Sequence, residues 1–309
     1  MRFKNVFRAF GVMSLMLLMV VSIVSAAPPL QSTCNPALAA VIPGDSTQTI
    51  ESGDLTRSYK VYIPEIYDIA QPAPLVFSLH GFTSNSEQQE LYTGWNEIAD
   101  SENFIVVYPQ GAQTPSRWNA GPNFFTRVNP IDDVAFIRDL IAKMVENYCI
   151  DTARIFVNGL SNGGGMTNRL ACEMADQIAA IGTVAGTYPL ADEDCEPARP
   201  IPVISFHGTD DPLVPYDGNR IMPPIQDWAA EWAARNGCDP TPETIPAIGD
   251  TSGMHYVNCD ENADVILYTI DEGGHTWPGG FPLPILGKTT RDINASATMW
   301  EFFKAHPLS

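Results

Sequence analysis

The chain has 309 residues, 45% of them hydrophobic and 17% charged, with 23 Gly and 26 Pro. That composition rules out a disordered, collagenous or coiled-coil chain and describes a globular protein with a substantial core and many loops. Lys and Arg total 17 against 36 Asp and Glu, a net charge of −19, which argues against a phosphate-backbone binder, so no nucleic-acid partner is expected.

Taken in chain order, the first feature is a targeting signal. Arg2, Lys4 and Arg8 form a positive n-region, residues 10–23 an apolar run, and Val24-Ser25-Ala26 the small residues a signal peptidase needs. The alternative is a membrane anchor, but the run is short for a bilayer core of about 30 Å and Pro28-Pro29 follows it. Residues 1–26 are read as a signal peptide and 27–309 as a single α/β domain. The expected location is secreted, extracellular or periplasmic, with no membrane partner after cleavage. The cysteines Cys34, Cys149, Cys172, Cys195, Cys238 and Cys259 all lie beyond residue 26, and an oxidising compartment would pair them. Six cysteines allow fifteen pairings. Short loops suggest Cys172–Cys195 and Cys238–Cys259, leaving Cys34–Cys149, although sequence does not select among the fifteen. No Cys-x-x-Cys or Cys/His cluster suggests a zinc site.

The body alternates strands and helices. Residues 58–63 alternate like an edge strand, 74–79 form an apolar run ending in His80-Gly81, and 87–100 carry Leu91, Trp95 and Ile98 at helical spacing. A strand at 104–108 and a helix over 132–148 follow. Residues 154–158 form a strand that runs into Gly159-Leu160-Ser161-Asn162-Gly163, and a helix then reaches Met174. Strands at 179–185 and 201–206, a helix at 225–236, a last strand at 264–270 and a closing helix at 292–305 complete the series. Continuous apolar strands between helices argue a mostly parallel central sheet with helices on both faces, an α/β fold.

Three strand ends carry polar residues that a buried strand does not need. Gly-x-Ser-x-Gly is a weak signal alone, but here a β-branched strand precedes it and a helix follows. A sharp turn in that context lifts the Ser161 hydroxyl off the carboxyl edge of the sheet; the alternative is an ordinary glycine-rich turn. A neutral hydroxyl needs a base and an orienting carboxylate. His275 lies in Gly273-Gly274-His275-Thr276-Trp277-Pro278-Gly279-Gly280, directly after the last strand. Asp210 and Asp211 both follow the strand that ends in Phe206-His207; Asp211, immediately before Pro212, is preferred, with the two roles reversible. The chain order Ser161, Asp211, His275 is that of α/β-hydrolases. Backbone N–H groups of Asn162 and of the loop after His80-Gly81 would form an oxyanion hole, with Phe82 favoured and Thr83 the alternative.

Leu79-His80-Gly81, Arg117-Trp118-Asn119, Gly159 to Gly164, His207-Gly208-Thr209-Asp210-Asp211-Pro212 with Val214-Pro215-Tyr216, and Gly274-His275-Thr276-Trp277-Pro278 occur in this order. The chain resembles the secreted esterases that group polyhydroxybutyrate depolymerase-like proteins with feruloyl and acetyl xylan esterases. The resemblance implies an α/β-hydrolase fold, no cofactor, and Ser161, Asp211 and His275 as nucleophile, acid and base. The family often has Cys or Gly where this chain has Phe82.

Trp118 and Trp277 flank the expected site in sequence and, with Thr83, are candidate substrate contacts; indoles would stack on an aromatic acyl group or sugar ring, or simply pack the loops. Phe124 and Phe125 are weaker candidates for an apolar wall. No Arg cluster suggests a polyanion, and no binding module follows before Ser309. The expected substrate is a soluble feruloylated oligosaccharide or aryl ester, with a hydroxyalkanoate oligomer second. A carbohydrate-binding protein on a silent hydrolase scaffold is the reading from a different class. Asn294-Ala295-Ser296 matches either a glycosylation acceptor or a helix N-cap.

Overall fold

A computed structural model describes Cys34 and residues 41–121, 131–188 and 195–308. The expected signal peptide and the pair Phe124 and Phe125 lie outside the described residues.

The strands are β1 (Gly44–Ser52), β2 (Leu55–Ile63), β3 (Ala73–Leu79), β4 (Ile105–Pro109), β5 (Ile150–Leu160), β6 (Ala180–Val184), β7 (Val203–Gly208), β8 (Glu243–Ile248), β9 (Thr251–Tyr256) and β10 (Val265–Ile270). They form one sheet in the order β1-β2-β4-β3-β5-β6-β7-β10-β9-β8. From β4 across to β10 every neighbouring pair is parallel, and both edges are antiparallel hairpins. All residues of β3, β4, β6 and β7 are buried, as strands covered on both faces must be. Alternate side chains then feed two cores. Leu75, Phe77, Val157 and Val203 meet the helices α3 (Asp133–Asn147), α4 (Asn162–Glu173) and α5 (Ile225–Arg235) on one face. Val76, Val106, Phe156 and Ile204 meet α2 (Trp95–Glu102) and α6 (Ala295–Ala305) on the other. The remaining helix, α1 (Ser86–Thr93), precedes α2.

The structure departs from the sequence reading at three places. The helix expected over 87–100 is two, α1 and α2, because the chain turns left-handed at Gly94 (φ 63°). Strands β1, β8 and β9 were not anticipated. β1 alternates half-buried and exposed residues and β8 is largely exposed, so neither shows the apolar run that marks a strand.

The disulfides are Cys34–Cys149, Cys172–Cys195 and Cys238–Cys259, the pairing that short loops suggested. Among the described residues no helix is long and apolar enough to cross a membrane. The glycosylation-like triplet serves α6: Asn294 Oδ1 accepts the Ala297 N–H at 2.9 Å. Buried Ser296 donates to Thr93 O at 2.6 Å and accepts from Trp277 Nε1 at 3.0 Å. Asn294→Ala removes that cap and is expected to lower stability by about 1 kcal/mol, read from urea unfolding.

Candidate active site

Ser161 is the first residue past β5 and stands at the N-cap of α4 with φ 56° and ψ −117°. A residue with a Cβ is strained there by about 1–3 kcal/mol, so its surroundings must enforce the geometry. Its N–H donates to Val184 O at 2.9 Å, and its carbonyl accepts from Gly165 at 2.9 Å and Thr187 at 3.1 Å. A serine at an N-cap normally accepts a hydrogen bond from the first turn of its helix. Ser161 makes no such bond: the turn holds its hydroxyl away from the capping position.

Beneath the turn lies a buried polar network that the sequence reading missed. Ser78 Oγ donates to Asn158 Oδ1 at 2.7 Å, Trp95 Nε1 donates to the same oxygen at 3.2 Å, and Asn158 Nδ2 donates to Phe77 O at 3.0 Å. Gln89 Nε2 reaches Ser78 Oγ at 3.0 Å. These bonds lock β3 to β5 just below Ser161. The available signal was Ser78 and Asn158, two polar residues inside otherwise apolar strands.

The acid and base come from the ends of β7 and β10, which pair in parallel. Their loops are stitched together: Thr209 N–H donates to Ile270 O at 2.9 Å and Asp210 N–H to Gly273 O at 3.0 Å. His275 Nδ1 lies 2.7 Å from Asp211 Oδ2, and both residues are buried. Asp211 Oδ1 accepts the N–H groups of Leu213 and Val214, each at 2.8 Å. Asp210 is exposed, so the carboxylate that meets the imidazole is Asp211. Burial would push the Asp211 carboxyl up, but hydrogen bonds from His207, His275 and Val214 outweigh it and hold the group well below the ordinary range. With Nδ1–H given to a carboxylate, Nε2 is the basic nitrogen of His275.

The loop after β3 is where the second oxyanion donor is expected. Thr83 gives its N–H to Ser116 O at 2.7 Å, so that N–H is already committed within the loop. Asn162 occupies the first turn of α4, where backbone N–H groups have no intrahelical acceptor. Its side chain clasps Trp118: Oδ1 accepts the Trp118 N–H at 2.7 Å and Nδ2 donates to Trp118 O at 3.2 Å.

The tryptophans are a correction to the expected substrate contacts. Trp118 is fully buried with Nε1 donating to His80 O at 2.9 Å. Trp277 is 1% exposed and its Nε1 is committed to Ser296. An indole enclosed on all sides presents no face to a ligand, so both pack loops. Thr83 is exposed, and Phe82 is 38% exposed at the same loop.

His80 braces this loop. Its Nε2 accepts the Gly111 N–H at 3.0 Å, so Nδ1 carries the proton and donates to Gly81 O at 2.8 Å. Burial lowers its pKa from 6.5 to about 4. Between those values the unfolded chain binds the proton and the folded chain does not, so stability falls as pH drops from 6.5 and levels below 4. The loss through this one group is about 3 kcal/mol, at about 1.4 kcal/mol per pH unit. Urea unfolding across that interval should show the slope, and His80→Asn should flatten it.

Among the described residues no group of three or more His, Cys, Asp or Glu side chains is arranged to hold a metal ion.

Comparison with known proteins bears on what this arrangement is. The family model described as esterase PHB depolymerase matches residues 57–194. Feruloyl esterase C of Emericella nidulans is 30% identical over 257 residues, spanning 81% of this chain and 84% of that one. The chain belongs to the family of polyhydroxybutyrate depolymerase-like and feruloyl esterases. Feruloyl esterase B of Piromyces equi, a longer relative, is 35% identical over 71% of this chain and 42% of its own length. The solved acetyl xylan esterase from Aspergillus awamori superposes with a TM-score of 0.60 at 17% identity, over 84% of this chain and 99% of that one, which establishes the α/β-hydrolase fold. This esterase is a carboxylic-ester hydrolase on that fold.

Proposed function

We propose that Ser161 is the nucleophile, His275 its general base and Asp211 the orienting acid, and that the ester cleaved is a hydroxycinnamate on plant cell-wall polysaccharide. One observation carries the residue roles: the 2.7 Å bond between His275 Nδ1 and Asp211 Oδ2, made at the same sheet edge as a serine whose hydroxyl its helix does not use.

In the first step His275 Nε2 takes the Ser161 proton as the oxygen attacks the ester carbonyl. The charge that builds on the carbonyl oxygen meets the N–H groups of Asn162 and Phe82 and the positive end of α4. Asp211 keeps His275 in the tautomer with Nε2 free and stabilises the imidazolium. His275 then protonates the departing alcohol. Water, deprotonated by the same nitrogen, hydrolyses the acyl-enzyme and frees the acid. No cofactor takes part. Asp211→Asn favours the wrong imidazole tautomer and should lower kcat about 10⁴-fold, measured on an aryl ester.

Relatives named feruloyl esterase support the hydroxycinnamate reading. The exposed apolar side chains Leu213, beside Asp211, and Phe281 and Ile285, after His275, favour a second substrate, a hydroxyalkanoate oligomer. Release of ferulate from methyl ferulate, compared with clearing of a polyhydroxybutyrate suspension, separates the two. Labelling by a fluorophosphonate would exclude the silent scaffold. We also infer export, because three disulfides are stable in an oxidising compartment.

A further inference from the structure

His207 lies one residue before the end of β7, opposite Thr269 of β10, and its side chain is fully buried. Its Nε2 is 2.9 Å from Val214 O. A carbonyl only accepts, so this nitrogen carries the proton. The same Nε2 lies 3.4 Å from Asp211 Oδ2, the oxygen that His275 also uses. Val214 in turn donates its N–H to Asp211 Oδ1. The contacts close a ring: His207 to the Val214 carbonyl, the Val214 N–H to Oδ1, and Oδ2 back toward His207.

We infer that His207 is a positioning residue for the reaction: it pins the 211–214 turn to the rigid end of β7 and so holds the Asp211 carboxylate on His275. The inference rests on the catalytic reading of Ser161, Asp211 and His275.

The physical case is one of leverage. The turn bonds at Oδ1 fix the carboxylate relative to the turn but not the turn relative to the sheet. The His207 bond to Val214 O supplies that second constraint from a residue inside the sheet. An apolar side chain would fill the same volume without an N–H to offer. His207 Nδ1 has no hydrogen-bond partner among the protein atoms. The ring therefore gives one of its nitrogens to the turn, an arrangement that packing alone does not explain. The side chain also borders a small cavity with Gly208, Gly274 and Thr276.

The second consequence is electronic. A partly shared N–H at Oδ2 draws charge from the carboxylate, so Asp211 pulls less strongly on the His275 proton. Removing that N–H strengthens the pull, raises the basicity of Nε2 and moves the acid limb of kcat/KM to higher pH. The titratable groups meeting here are Asp211, His207 and His275. Tyr216 lies edge-on to His207 at 6.0 Å, and Lys288, paired with Asp250 at 2.9 Å, lines the same cavity.

The test compares wild type, His207→Phe, His207→Asn, His207→Gln and Asp211→Asn in the full chain on a soluble aryl ester. A glutamine amide nitrogen reaches the place of imidazole Nε2; an asparagine is too short. We expect Phe and Asn to lower kcat between about 10- and 100-fold with KM little changed and to move the acid limb to higher pH, and Gln to restore both. The asparagine variant decides the matter if the phenylalanine variant does not fold. Wild-type kcat and pH profile in the Phe or Asn variant, beside an inactive Asp211→Asn, would overturn the role of His207 alone. So would equal losses in Phe, Asn and Gln with an unmoved pH profile, the mark of a packing role. Full turnover in Asp211→Asn would instead overturn the catalytic reading and this inference with it.

Discussion

Ser161→Ala is expected to remove at least about 10⁴-fold of the aryl-esterase turnover while leaving the unfolding midpoint near that of the wild type. The reason lies in what the hydroxyl does and does not do. It makes no capping bond to α4, so deleting it costs the helix nothing. The backbone bonds that hold the turn, to Val184, Gly165 and Thr187, involve main-chain atoms only and survive the change. What disappears is the one oxygen proposed to attack the ester. Ser161→Gly carries the argument further. It is equally inactive, yet it relieves about 1–3 kcal/mol of strain at φ 56°. Against this stands a glycine entropy cost of about 0.5–1 kcal/mol, so a net gain on the order of 1 kcal/mol is expected. Urea denaturation of both variants beside steady-state kinetics checks the pair. Retained turnover in Ser161→Ala would remove the serine from the mechanism.

The second large effect is on folding. Gly163 sits in the first turn of α4, where helix propensity alone favours alanine by about 1 kcal/mol. A Cβ there would stand 2.2 Å from Leu79 O and 2.6 Å from His80 O. Both neighbours are main-chain oxygens of the β3 end, which bonds to β5 along its length and cannot step aside. The clash outweighs propensity, and Gly163→Ala should destabilise by about 3 kcal/mol or more. Relief requires α4 to move off β3, which would also part the Asn162 N–H from the Phe82 loop. We expect a lower urea midpoint, and lower kcat in whatever folds. A midpoint at or above the wild-type value would show that the β3 end yields.

Much of the central sheet was legible because its strands advertise themselves. Residues 74–79, 104–108 and 201–206 are apolar but for Ser78 and Ser205, as burial on both faces demands, and the structure places β3, β4 and β7 there. The edges were not legible. In β1, the residues Asp45, Thr47 and Gln48 look like a loop, and only pairing with β2 makes them a strand. Leu91, Trp95 and Ile98 keep helical spacing across Gly94, so the break there was invisible to periodicity.

The site divides in the same way. Gly-x-Ser-x-Gly after a strand, an aspartate pair after another and a histidine in a glycine-rich loop after the last are local facts. Strand ends and turns are set by neighbouring residues, so these could be read in order along the chain. Which of them touch is a different matter. Choosing Asp211 over Asp210 took the bond to His275, a residue 64 positions away. That the Thr83 N–H is given to Ser116 is likewise a long-range contact. Trp118 and Trp277 are indistinguishable in sequence from stacking platforms, and only enclosure by His80, Asn162 and Ser296 makes them scaffold. His207 read as one more residue before a glycine until its nitrogen was seen against Val214 and Asp211.

The amino-acid order thus determined the family, the strand ends and the residue types available for chemistry, because turns and apolar runs are specified by near neighbours. The tertiary structure alone decided the disulfide partners, the carboxylate that meets the imidazole and the indoles that are walled in. Those are contacts between distant segments, and they follow from how the strands are ordered in the sheet.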